Sequence, residues 1–164
     1  MKRVLMAAII LVVNHAAWTS ESNVAQWQTD ADLQTVYPVL YETLEAKRFY
    51  VVFEPDIQNN LSRFAERWGE DYNRNQLEGI RAMVFCNGWY ANSVGNADPD
   101  MLALCPLHLT LVQRQGATRI LFVRPSVVAA GTAAEAVARE IEQAVGEAVR
   151  AAIEKLPASP ADGG

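Results

Sequence analysis

Residues 107–123 read LHLTLVQRQGATRILFV, and they decide the fold. Apolar and polar residues alternate over 107–111, a period of two that is typical of a strand with one buried face. Residues 119–123 form a second apolar run, and Gly116 between the two runs favours a tight turn. The stretch therefore predicts a β-hairpin whose leucines face the core, with His108 on the opposite face.

Three further strands are predicted from short runs of β-branched and aromatic residues at 24–29, 49–53 and 80–86. Helices are predicted where apolar residues recur at spacings of three and four, at 33–48, 59–72 and 132–153. Thr29 or Asp30 is expected to cap the first helix and Asn59 or Asn60 the second, while a Thr132 to Glu135 capping box opens the third. This order of elements predicts an α+β domain with a mixed or antiparallel sheet packed against helices.

Residues 85–108, FCNGWYANSVGNADPDMLALCPLH, connect the strand at 80–86 to the hairpin and hold both cysteines of the chain. Asp98 is expected to cap a short helix that has Pro99 at its first position. Aromatic side chains beside amides are suited to stacking on planar or sugar ligands. We therefore predict that any ligand site lies here, with six candidate residues: Asn87, Trp89, Tyr90, Asn92, Asp98 and His108.

The two cysteines have three interpretations. Cys86 and Cys105 each lie at the loop end of a strand, which favours a disulfide in an exported protein. The second interpretation is a copper or haem-iron site whose soft ligands are Cys86, Met101, Cys105 and His108, although their spacing matches no known metal signature. Two buried free thiols are the third interpretation.

Catalytic chemistry has little support in the sequence. An enzyme would need a nucleophile beside a base, and His108 with Ser93 or a cysteine is the only such combination near this loop. No glycine-rich or elbow motif flanks these residues. We therefore assign no catalytic residue and expect no cofactor, with copper or haem as the alternative.

The N-terminus has the pattern of a secretory signal. Lys2 and Arg3 precede the apolar residues 4–13, a run well short of the roughly 20 residues that span a bilayer. We predict a signal peptide over residues 1–20 with an undetermined cleavage site, no permanent transmembrane span, and a periplasmic or secreted location. Residues 23–156 then form one domain, and the Pro- and Gly-containing residues 157–164 a disordered tail.

The formal net charge of −5 disfavours nucleic acid as a partner, because such a surface repels phosphates. A length of 164 residues suffices for one domain with a hydrophobic core.

Several short elements also occur in the order of a known family. Phe85-Cys86, Ala97-Asp98-Pro99, Cys105-Pro106 and Arg124-Pro125 resemble the exported, two-cysteine branch of the domain of unknown function 302 family, over roughly residues 37–156. The resemblance implies a β-α-β4-α-like domain with a long C-terminal helix, often a homodimer, and no particular activity. The family often has histidines after the second strand, but residues 54–58 of this chain read EPDIQ, so no metal role is implied there.

Together these patterns predict an exported cell-envelope accessory or ligand-binding module, stabilised by one disulfide. Its expected partners are a second copy of the chain and either an envelope protein or a small molecule. The alternatives are a periplasmic redox or metal- or haem-binding protein using the two cysteines, and an enzyme using His108.

Overall fold

The computed structural model describes residues 22–157. Five strands form one sheet in the order β1-β5-β4-β3-β2, and every pairing is antiparallel. The strands are β1 Val24–Thr29, β2 Tyr50–Phe53, β3 Gly79–Cys86, β4 Leu107–Arg114 and β5 Ala117–Val123. The prediction of an α+β domain with an antiparallel sheet is confirmed.

Within residues 22–157, six α-helices connect and cover these strands: α1 Leu33–Ala46, α2 Ile57–Ser62, α3 Ala65–Trp68, α4 Gly88–Ala97, α5 Pro125–Val128 and α6 Glu135–Glu154. Two short 3₁₀ helices, Gly69–Asp71 and Pro99–Leu104, extend the connections. The predicted long C-terminal helix is present as α6. None of the helices within residues 22–157 is long and apolar enough to cross a membrane.

The central hairpin forms as predicted. Gln115 and Gly116 both have positive φ, 52° and 75°, the backbone of a two-residue turn that matches the twist of the flanking strands. Leu107, Leu109 and Leu111 are buried and His108 is exposed. The period of two therefore predicted the correct face for residues 107–111, whereas Val112 beyond them is also buried.

The core lies between one face of the sheet and the two longest helices, α1 and α6. Leu40 and Leu44 of α1 and Val145 of α6 are fully buried in it, together with Met83 of β3 and Ile120 of β5. Alternation along β3 then places Val84 and Cys86 on the opposite face of the sheet, where the paired strand β4 carries His108.

The predicted helix at 59–72 is wrong in its extent. Asp56, not Asn59 or Asn60, caps it: its Oδ1 accepts a hydrogen bond from Asn59 N at 2.9 Å. α2 ends at Ser62, whose hydroxyl donates to the carbonyl of Asn59 at 2.8 Å. Such local side-chain bonds compete with helix continuation, so the pattern splits into α2, α3 and a 3₁₀ turn.

Two other predicted caps differ. Asp32, not Thr29 or Asp30, caps α1, accepting from Thr35 N at 2.8 Å. Thr132 Oγ1 accepts from Ala134 N rather than from Glu135 N, and Glu135 accepts from Gly131 N. Each bond of the expected capping box is therefore displaced by one residue, and α6 begins at Glu135 rather than directly after Thr132.

The predicted signal peptide, residues 1–20, lies outside the described residues. So do residues 158–164 of the predicted disordered tail.

Candidate functional site

Three of the six candidate ligand-binding residues lie together in one cleft of about 320 Å³. The cleft lies between the start of α4, the turn from α1 to β2, and Ala144 of α6. Its lining residues are Lys47, Arg48, Phe49, Asn87, Trp89, Tyr90 and Ala144. We call it the aromatic cleft.

The floor of the aromatic cleft is fixed to the hydrophobic core by three rings. Tyr90 stacks on Phe49 with ring centroids 5.9 Å apart and planes 10° apart. Phe49 in turn meets Phe85 edge to face, with centroids 5.7 Å apart. Because Phe49 and Phe85 are buried, Tyr90 is held in place and presents a rigid surface to the cleft.

Trp89 behaves differently from its neighbour. Its side chain is 74% exposed although it lies next to a core-anchored tyrosine. Asn87 determines this arrangement by capping α4: its Oδ1 accepts from Trp89 N at 3.0 Å and from Tyr90 N at 3.2 Å. Burial of Tyr90 against Phe49 then leaves the indole of Trp89 beside the cleft and open to solvent.

Lys47 and Arg48 supply positive charge on the other side of the cleft. Lys47 Nζ lies 3.4 Å from Glu147 Oε2 on α6, an ion pair between two well-exposed side chains. Arg48 has no carboxylate partner within residues 22–157. The cleft therefore combines an exposed indole with an unneutralised guanidinium in a protein of net negative charge.

The backbone of Arg48 is unusual. Its φ is 63°, in the left-handed region that glycine normally occupies at the end of a helix. The turn requires this conformation because Phe49 N must fold back to donate to the carbonyl of Leu44, at 2.9 Å. A charged residue therefore occupies a position where glycine would be less strained.

The other three candidate residues lie elsewhere. Asn92 is exposed on α4, outside the residues that line the cleft. Asp98 caps the 3₁₀ helix, accepting from Asp100 N at 3.1 Å, as its predicted role as a cap requires. His108 lines a separate cleft of about 220 Å³ with Leu104, Pro106 and Val123.

Cys86 and Cys105 are half-buried free thiols in the structure, which contains no disulfide between them. Burial raises the pKa of the Cys105 thiol, and the charge of Cys86 and a hydrogen bond with it raise that pKa further. The Cys105 thiol is therefore protonated and weakly nucleophilic near neutral pH.

The alternative metal site lacks support from the geometry. Within residues 22–157 no three side chains of His, Cys, Asp or Glu come close enough together to hold a metal ion. Cys86, Cys105 and His108 of the predicted alternative site therefore do not form a three-ligand group. Ser93, the candidate hydroxyl nucleophile, donates to the carbonyl of Trp89 at 2.9 Å within α4.

Sequence reasoning missed Lys47 and Arg48. The only local signal was a pair of basic residues at the end of an amphipathic helix, and such pairs are common on solvated surfaces. The turn between α1 and β2 brings them to α4, some forty residues later in the chain.

Family comparison matches residues 25–156 to the model of DUF302, "Domain of unknown function DUF302". The chain belongs to the DUF302 family. The match covers both the sheet and the C-terminal helix, so the resemblance to the DUF302 family is confirmed. None of the curated proteins matches the chain.

A solved structure shares the DUF302 fold. It is the crystal structure of an uncharacterized conserved DUF302 protein from Bacillus stearothermophilus, with 18% sequence identity and a TM-score of 0.66. The likeness covers 77% of this chain and 95% of that one. At this identity the likeness establishes the DUF302 fold alone.

Proposed function

We propose that this DUF302 protein is an exported binding module and that the aromatic cleft is its ligand site. The observation that carries the proposal is the exposure of Trp89, 74%, beside a cleft that also holds Lys47 and Arg48. Leaving a large aromatic side chain in water forgoes burial that most tryptophans obtain, so such side chains often mark binding surfaces.

The composition of the aromatic cleft favours a planar organic anion. The indole of Trp89 offers a face for stacking, and the guanidinium of Arg48 presents paired N–H donors suited to a carboxylate. Lys47 adds a second positive charge, partly offset by Glu147. The wall formed by Ala144 is small and apolar and leaves room for a ring.

We expect an aromatic carboxylate, 2-naphthoate, to bind the unmodified protein saturably. Trp89→Ala should weaken that binding by about tenfold to thirtyfold, the effect of removing a tryptophan that contributes about 2 kcal/mol to a binding site. Isothermal titration calorimetry measures both affinities. Trp68→Ala is the matched control, because Trp68 is also exposed, 41%, but lies on α3 outside the cleft.

Arg48→Gly separates binding from stability when the same titration is combined with thermal unfolding. Glycine tolerates a φ of 63° without strain, so the variant should keep or slightly raise the thermal midpoint while losing affinity for 2-naphthoate. Equal affinities of Trp89→Ala, Arg48→Gly and the unmodified protein would refute the proposed site.

The location, the disulfide and the homodimer are also proposals. Export is supported by the signal pattern of residues 1–20, and pairing of two chains by the family resemblance. Oxidation of Cys86 and Cys105 to a disulfide is supported by the register of β3 and β4, in which Phe85 lies opposite Leu107. In this register the last residue of β3, Cys86, and the residues just before β4, which include Cys105, lie at the same end of the two paired strands.

Intact mass of the protein purified from the periplasm tests all three. For export, we expect a denatured mass that lacks the signal peptide. For the disulfide, we expect a mass two hydrogens lighter than that of the dithiol, and alkylation only after reduction. For the homodimer, we expect a native mass of two chains. An uncleaved chain in the periplasm would contradict removal of residues 1–20, and recovery of the protein only from the cytoplasmic fraction would contradict export. Two thiols that alkylate without reductant would contradict the disulfide. A native mass of one chain would contradict the homodimer.

A further inference from the structure

A second cleft, of about 250 Å³, shares no lining residue with the aromatic cleft and has a different chemistry. It is formed by the start of α1, by α2, and by the beginning of β3 with Gln113 of β4. Its polar side chains include Gln34, Asp56, Gln58, Ser62, Arg81 and Gln113. We call it the polar cleft.

Arg81 is a half-buried cation in the polar cleft without an acidic partner. No ion pair to Arg81 occurs within the described part of the chain. Its guanidinium carbon instead lies 3.7 Å from the centroid of the Tyr37 ring. Arg124, the comparable half-buried arginine, has its Nε 2.6 Å from Glu142 Oε1.

Tyr37 does not neutralise Arg81. Its ring is buried and its hydroxyl donates to the carbonyl of Ala82 at 3.3 Å. Burial raises the pKa of Tyr37, a hydrogen bond with Glu54 raises it further, and the charge of Arg81 only partly opposes them. The phenol therefore stays neutral and covers one face of a guanidinium that keeps its full charge.

Of the two carboxylates that line the polar cleft, Glu78 is fully occupied and Asp56 only in part. Glu78 accepts from Gln113 Nε2 at 2.8 Å, from Gln115 N at 2.8 Å and from Gly116 N at 3.0 Å, so it is committed to the hairpin turn. In Asp56 only Oδ1 accepts a hydrogen bond, the one from Asn59 N that caps α2. Its second oxygen has no donor among the hydrogen bonds of residues 22–157.

Two buried polar atoms of the residues that line the polar cleft also lack partners. They are Arg81 Nε, a donor, and Gln58 Oε1, an acceptor. The amide nitrogen of Gln58 is committed to Tyr72, donating to its hydroxyl oxygen at 3.0 Å. Unsatisfied buried groups are uncommon in folded proteins, so a donor and an acceptor of this kind on two residues that line the same cleft indicate unused binding capacity.

We propose that the polar cleft binds a small zwitterion, a free α-amino acid. The carboxylate of the ligand would accept hydrogen bonds from the Arg81 guanidinium. The ammonium group would donate to Gln58 Oε1 and to the free carboxylate oxygen of Asp56. Because Asp56 and Glu78 line the polar cleft together with Arg81, a ligand that carries both charges suits it better than a simple anion.

NMR titration of the ¹⁵N-labelled protein with L-alanine tests this site, with acetate and methylammonium as probes carrying one charge each. We expect saturable shifts at Gln58, Ser62 and Arg81 with alanine, and weaker binding of either half-ligand. Arg81→Gln should weaken alanine binding about tenfold or more, because a charge-assisted bond is lost. Arg119→Gln, an exposed arginine on β5, should leave alanine binding unchanged.

Asp56→Asn is the second variant, since asparagine caps helices as well as aspartate and so preserves the start of α2. This substitution should weaken the binding of alanine and of methylammonium but not the binding of acetate. Unchanged alanine binding in Asp56→Asn would overturn the proposal, as would the absence of saturable shifts in the unmodified protein. Because neither variant touches the aromatic cleft, this result is independent of 2-naphthoate binding.

Discussion

Replacing Phe49 with alanine is expected to lower the free energy of unfolding by about 4 kcal/mol, the usual cost of removing a buried phenylalanine ring. Phe49 is 1% exposed and fills the space between Phe85 and Tyr90. No other residue can fill the void, because the helices and sheet around it are already packed. Urea unfolding of the variant and the unmodified protein measures the difference.

The same substitution should remove 2-naphthoate binding. Without Phe49 the ring of Tyr90 loses its stacking partner, and the start of α4 loses its anchor to the core. Phe64→Ala is the control, because Phe64 is 43% exposed and its ring contact is with Trp68, at a centroid distance of 5.0 Å. A loss of stability no larger in Phe49→Ala than in Phe64→Ala would show that the three-ring floor is not a core element.

Glu142→Gln is expected to cost about 2 kcal/mol at pH 7, since it removes the charge from a pair whose side chains are only 16% and 18% exposed. The Glu142 carboxylate accepts from Arg124 Nε at 2.6 Å and from the hydroxyl and the N–H of Ser126. These bonds join α6 to the segment that follows β5. The substitution therefore removes the Glu142 anion from beside a half-buried guanidinium.

The effect of Glu142→Gln should depend on pH. Burial alone would raise the pKa of Glu142, but hydrogen bonds from Ser126 and Arg124 and the charge of Arg124 outweigh it, and the pKa is lowered. A carboxyl group whose pKa is lower in the folded state stabilises the fold above its unfolded pKa of about 4.3. That contribution disappears as the pH falls through the folded pKa.

Unfolding curves of Glu142→Gln and the unmodified protein should therefore differ most at neutral pH and converge in acid. Glu147→Gln is the matched control: it breaks the exposed pair with Lys47, and its effect on stability should be much smaller. A stability difference for Glu142→Gln that is constant from neutral to acidic pH would contradict the assigned role of the carboxylate.

The sequence predicted those parts of the fold that local periodicity determines. The alternation in residues 107–111 identified the buried face of β4, and spacings of three and four identified α1 and α6. The helix predicted at 59–72 was wrong at both ends because Asp56 caps an earlier start and the Ser62 hydroxyl bonds the carbonyl of Asn59 where α2 ends, and hydrophobic periodicity reports neither bond.

The candidate site was predicted in part. Asn87, Trp89 and Tyr90 are adjacent in the chain, so a single motif revealed them. Lys47 and Arg48 come from another part of the chain, and only the tertiary fold brings them to α4. His108 was grouped with the loop although alternation placed it on the face away from the core, so closeness in sequence was misleading.

Titration of the ¹⁵N-labelled, unmodified protein with 2-naphthoate, followed by NMR, tests the proposed ligand site most directly. We predict saturable shifts of the Trp89 indole N–H and of the amides of Lys47, Arg48 and Asn87, with the Trp68 indole unaffected. Shifts confined to Trp68, or shifts that never saturate at Trp89, would contradict the assignment of the aromatic cleft as the binding site.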